Sequence, residues 1–164
     1  MKLFIYGFIV IALLGCVHKS EKNIHLIPYN FKGPVVIFFN QVNGEIEKYD
    51  NDFRVYDIPE NGIFKTQFSP NDGILNDPNN NELYFFIDSL GNRNEIPVRW
   101  GNMSKVDTSK IQVYNIQRGN YGLNEIDYTI FYIGKYSEIN KFDFKNSNDK
   151  NKWWEKIIEV NNVE

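Results

Sequence analysis

Downstream of Ile24 the β-branched and aromatic residues come in short runs, separated by clusters of Gly, Pro, Asn and Asp. That punctuation directs a chain towards strands and turns, and it sets the expected class: mainly β, an antiparallel sandwich of about seven to eight short strands. Val35-Val36-Ile37-Phe38-Phe39 is apolar on both alternations, so it is expected to be a central strand covered on both faces. Asn43-Gly44 then predicts a tight turn into 45–49. The runs 53–58 and 63–68 flank Pro59-Glu60-Asn61-Gly62, in which Pro presets φ and Gly accepts a positive one, so a hairpin is expected.

Residues 69–81 read as a long polar loop. Strands are expected at 82–88 and 94–100, joined through Leu90-Gly91-Asn92, and again at 111–117 and 126–133. One amphipathic helix is predicted near the C-terminus, about 148–160. Asn148 or Asp149 caps it, and Trp153, Trp154, Ile157, Ile158 and Val160 form its apolar stripe. Its expected role is to cover a sheet or a sheet edge. Lys150, Lys152 and Lys156 are balanced by Glu155 and Glu159, which gives little preference for anionic lipid.

The N-terminus has a different character. Lys2 precedes an unbroken apolar stretch from Leu3 to Leu14, the layout of an exported chain. As a helix it would rise only about 20 Å against a hydrocarbon core of roughly 30 Å, too short for a comfortable span. Leu13-Leu14-Gly15-Cys16 resembles the lipobox of bacterial lipoproteins, with Leu14 standing where a smaller residue is usual. The resemblance implies cleavage after Gly15 and lipid on Cys16, which is also the only cysteine and so has no disulfide partner within the chain. The expected division is therefore a signal peptide at 1–15, a lipidated cysteine and tether at 16–23, and one β-rich domain at 24–164. Val17 after the cysteine, where an Asp would favour inner-membrane retention, leans localisation towards an outer membrane in a cell with two membranes.

Charge removes one class of function. The chain carries a net −3 and becomes one unit more negative when Lys2 leaves with the signal, so the electrostatic footprint of a nucleic-acid binder is missing. A mature chain of about 150 residues suits one domain with a real core. Aromatic residues reach 16%. With abundant Asn, Ile and Lys they follow more readily from AT-rich codons than from a stacking surface for sugars or peptides.

With the strands laid out, Ile27-Pro28, Gly33-Pro34-Val35-Val36-Ile37 and Arg54-Val55-Tyr56-Asp57-Ile58-Pro59-Glu60-Asn61-Gly62-Ile63, with Thr66-Gln67, form a recognisable pattern. It resembles an uncharacterised family of small bacterial lipoprotein domains, over roughly 24–99. The strand order also resembles transthyretin-like and carboxypeptidase-regulatory-like β-sandwiches, a fold-level likeness that supplies no site.

Candidate chemistry is sparse. Two histidines, His18 and His25, are expected in the tether and on a solvent-facing strand position, which leaves nucleophilic catalysis without a base. Zinc lacks ligands, and no cofactor or metal is expected. Asp77, Asn79, Asn81 and Asp88 approach calcium-loop spacing, but Glu82 occupies the place of the Gly that the turn requires. Paired carboxylates among Asp50, Asp52, Asp57 and Glu60 would be tested only by a distance across a cleft. Arg54, Tyr56 and Trp100 are the candidate binding residues, because Arg and aromatics concentrate at hot spots. The plainer alternative for them is a cross-strand ladder and a Trp packed on a sheet. The expected function is a membrane-anchored, non-enzymatic envelope module that binds another envelope protein or a glycan. The alternatives are a carboxylate-dependent hydrolase of envelope polymers and a structural or protective lipoprotein.

Overall fold

The computed structural model describes residues 19–72, 81–99, 107–121 and 126–139. The expected signal peptide, Cys16, Trp100 and the helix at 148–160 lie outside the described residues.

Among the described residues, nine strands form two facing sheets. The first holds β1 (Lys22–Pro28), β3 (Tyr49–Asp50), β4 (Phe53–Asp57), β6 (Glu82–Ile87) and β7 (Arg93–Glu95) in the order β3-β4-β1-β6-β7. The second holds β2 (Gly33–Phe38), β5 (Ile63–Lys65), β8 (Gln112–Tyr121) and β9 (Ile126–Gly134) in the order β5-β2-β9-β8. A short helix, α1 (Tyr136–Ile139), follows β9. The chain is mainly β, as its punctuation predicts.

Pairing within the sheets departs from the antiparallel expectation. β1 pairs parallel with both β4 and β6, and β2 pairs parallel with β5, while β2–β9, β8–β9, β6–β7 and β3–β4 are antiparallel. The expected hairpin across Pro59-Glu60-Asn61-Gly62 is a change of sheet: β4 stays in the first sheet and β5 joins the second. The turn itself forms as its residues dictate. Gly62 has φ +75° and donates its amide to the Pro59 carbonyl, but its carbonyl accepts from Val36 of the other sheet. The turn at Asn43-Gly44 closes on Gln41 and leads to a parallel bridge between Glu45 and Thr66, with no hairpin back onto β2. By contrast, β6 and β7 meet as the antiparallel pair expected around Leu90-Gly91-Asn92.

The core sits between the sheets. Ile27, Tyr56, Ile58, Tyr84 and Ile96 of the first sheet and its flanks face Val35, Ile37, Phe39, Val113, Phe131 and Ile133 of the second. β2 is buried on both alternations, since Val36 and Phe38 pack in a separate cluster on the outer face with Ile126 and Ile130. Fully burying such aliphatic and aromatic side chains stabilises by about 1.5–3 kcal/mol each, which makes this double-sided strand the spine of the second sheet.

Candidate functional site

Strand register stacks the inward side chains of β1, β4 and β6 into layers. Asn23 aligns with Arg54 and Glu82, His25 with Tyr56 and Tyr84, and Ile27 with Phe86. From the beginning of the three parallel strands to their end, the inter-sheet space therefore passes from polar through aromatic to apolar. The polar end opens into a cavity of about 250 Å³, bordered on the opposite side by the C-terminal half of β8 and the start of β9.

Glu82 is the hub of this end. It is 4% exposed, and its Oε1 accepts from Asn23 Nδ2 at 2.7 Å and from Arg118 Nη2 at 2.9 Å. Its Oε2 lies 3.1 Å from His25 Nε2. A carboxylate can only accept, so the ring proton belongs on Nε2. Nδ1 of the same ring is buried with no partner. A lone pair in that position costs less than an unpaired N–H would, which fixes the same tautomer independently. Arg118 also donates to the Asn71 backbone carbonyl at 2.8 Å. The Asn71 side chain in turn donates to Asn23 Oδ1 and the Glu21 carbonyl, and accepts from Ser20 Oγ and the Glu21 amide.

Contrary to the solvent-facing position expected for it, His25 is 3% exposed. Its imidazole stacks on Tyr84 at 4.3 Å between centroids and on Tyr56 at 5.0 Å, with the edge of Phe131 against it. The reason is topological: β1 is the centre of a five-stranded sheet, and His25 points from it into the space between the sheets, against Phe131 of the second. Burial pushes the phenols of Tyr56 and Tyr84 well above the usual tyrosine range, with the charge on Glu82 adding to it.

Two of the three expected binding residues lie among the described residues. Tyr56 lines the cavity and donates to Asn23 Oδ1 at 3.3 Å. Arg54 is buried, pairs through Nε with Glu21, donates to the Ser69 carbonyl at 2.7 Å and lies 4.8 Å over the Phe68 ring. It fastens the entering chain to β4. Trp100 is outside the described residues. Asn23, His25, Glu82, Asn71 and Arg118 were not singled out for binding by the sequence; the register of the parallel strands brings Asn23, His25 and Glu82 together, and Asn71 and Arg118 reach them from the loop after β5 and from β8 of the facing sheet. Asp88 accepts from the Leu90 and Asn92 amides and from Asn92 Nδ2, a turn-forming role that holds its carboxyl below the usual range, chiefly through the Asn92 side chain. Among the described residues no group of three or more His, Cys, Asp or Glu side chains could hold a metal.

Chemically, the site is a fixed array of donors and acceptors.

A family model matches residues 19–143, that of DUF6843, a family of unknown function. No curated protein matches the chain. Among solved structures, the 2.75 Å crystal structure of a "Putative Lipoprotein from Bacillus anthracis" is similar in fold, with a TM-score of 0.58 and 15% identity over 87% of this chain and 94% of that one. These findings carry the resemblance to an uncharacterised domain family; they do not carry the transthyretin-like one.

Proposed function

The chain belongs to the DUF6843 family, and as that membership brings no activity with it, we propose that the protein is a lipid-anchored envelope lipoprotein whose domain is a non-enzymatic binding module. Its ligand is a small hydroxyl-bearing molecule, such as one unit of an envelope glycan, held between the sheets. The observation that carries this reading is the polar cavity built on Glu82, in which Glu82 and Arg118 are held in place by fixed partners, as a preorganised binding site requires. A cavity of about 250 Å³ suits a single small ligand, whereas recognition of a protein would call for a broad surface. The lipobox-like Leu13-Leu14-Gly15-Cys16 supports the anchor, and Val17 favours an outer membrane in a cell that has one.

The test is titration of the chain from residue 17 onward with neutral monosaccharides, amino acids and small polyols, read by the ring and amide resonances of His25, Asn23 and Asn71. Saturable shifts confined to these groups are expected. Shifts absent across the whole set, together with an envelope protein recovered by pull-down through another face, would replace this reading with that of a protein-interaction module.

A further inference from the structure

The cavity lies at the end of the molecule where the chain enters the domain. β1, β4 and β6 run parallel, so their first residues form one rim, and Asn23, Arg54 and Glu82 stand on it. The chain enters the domain at that rim, where Ser20 and Glu21 are bonded to Asn71 and Glu21 is paired with Arg54. Cys16 precedes Glu21 by five residues. Even fully extended, at about 3.5 Å per residue, that stretch reaches no further than about 18 Å. A domain of this size has a radius of gyration of about 14 Å, so a leash this short keeps the polar end facing the bilayer.

The lining narrows what can occupy it. Glu82, Asp72 and Asp127 outnumber the single guanidinium of Arg118, which disfavours a phosphate. The amide of Asn120 and the hydroxyl of Thr129 offer donors and acceptors together, as a polyhydroxylated ring requires. About 250 Å³ is the liquid volume of roughly eight waters, room for one sugar ring. We propose that the cavity takes the neutral sugar headgroup of a glycolipid in the leaflet to which the protein is itself anchored. This rests on the reading of the protein as a lipid-anchored binding module, and it adds the ligand's class and its source.

The experiment uses the lipidated protein in nanodiscs of phosphatidylglycerol, with or without glucosyl and galactosyl diacylglycerol, against the same sugars free in solution. The readouts are the thermal midpoint and the His25 ring resonances. Glycolipid discs are expected to raise the midpoint and shift the ring, and phosphatidylglycerol alone to do neither. Asn120→Trp, a plug at the half-exposed rim, should weaken the response at least about tenfold, and Glu82→Gln should weaken it likewise. Inserting twenty Gly/Ser residues after Val17 should lower the effective headgroup concentration by about tenfold without touching the cavity. Response to free sugar with none to glycolipid would overturn the membrane source and leave the binding module standing. Silence towards both forms would remove the binding module as well, and an equal response to phosphatidylglycerol alone would overturn the sugar assignment.

Discussion

Glu82 can be removed in two steps that separate its charge from its hydrogen bonds. Glu82→Ala strips three donors of their acceptor at once: Asn23 Nδ2, His25 Nε2 and Arg118 Nη2. Asn23 and His25 are nearly inaccessible to water, so two buried donors are stranded at about 1–3 kcal/mol each, whereas Arg118, 37% exposed, can turn to solvent; the loss is about 3–5 kcal/mol. Glu82→Gln keeps the volume. Its carbonyl oxygen can serve Asn23 and Arg118, which leaves its amide facing His25 Nε2. The ring meets that donor by moving its proton to Nδ1, where it becomes a buried N–H without a partner. The loss is then the difference between charge-assisted and neutral bonds plus the cost of that unpaired N–H, offset in part by sparing a buried charge, or about 2 kcal/mol. Urea unfolding should give midpoints in the order wild type, Glu82→Gln, Glu82→Ala at constant m. ¹⁵N spectra should show the His25 proton on Nε2 in wild type and on Nδ1 in the glutamine variant, with His25→Asn providing the assignment against His18. A Glu82→Ala chain within about 1 kcal/mol of wild type, or an unchanged His25 tautomer in Glu82→Gln, would refute the hub.

Cys16→Ser should accumulate as an unprocessed precursor without palmitate label, because a hydroxyl cannot form the thioether; normal cleavage and a soluble product would make residues 1–15 an ordinary secretory signal. Alkaline titration should unfold the domain as Tyr56 and Tyr84 ionise. Their raised native values mean that the fold holds more protons than the unfolded chain above about pH 10, so stability is complete below that pH and falls by about 1.4 kcal/mol per unit for each tyrosine. Tyr84→Phe should flatten that slope, as followed by circular dichroism against tyrosinate absorbance. Gly62→Ala should cost about 2 kcal/mol or more in chemical denaturation, since φ is +75° and the new Cβ would meet the Pro34 carbonyl at 2.6 Å and Phe31 Cζ at 2.9 Å.

Strands were legible where their signal is local. Val35 to Phe39 declares its double burial by being apolar at every position, and Asp88 with Leu90-Gly91-Asn92 declares the β6–β7 turn. Partners were less legible. Pro59-Glu60-Asn61-Gly62 specifies a reversal of direction, but whether the next strand pairs back or crosses to the facing sheet depends on Val36 and Pro34, which approach Gly62 from another part of the chain. The site was hidden for the same reason. Asn23, Arg54 and Glu82 are each an ordinary polar residue near the beginning of a strand, and only the parallel register across separations of tens of residues assembles them. His25 was misplaced because a polar residue early in a first strand looks peripheral, whereas here the first strand is the middle one.

That central place of β1 bears on how the chain comes to be folded at all. Its neighbours on either side begin at Phe53 and Glu82, so the strand made first waits longest, its backbone groups unmet until much of the domain has emerged. No antiparallel neighbour can form early beside it, and each parallel partner must return across a long loop, which delays closure. In the exported, lipid-anchored protein proposed above, late closure would be an advantage: the chain would stay passable during transit and lock only when Glu82 arrives to meet Asn23 and His25.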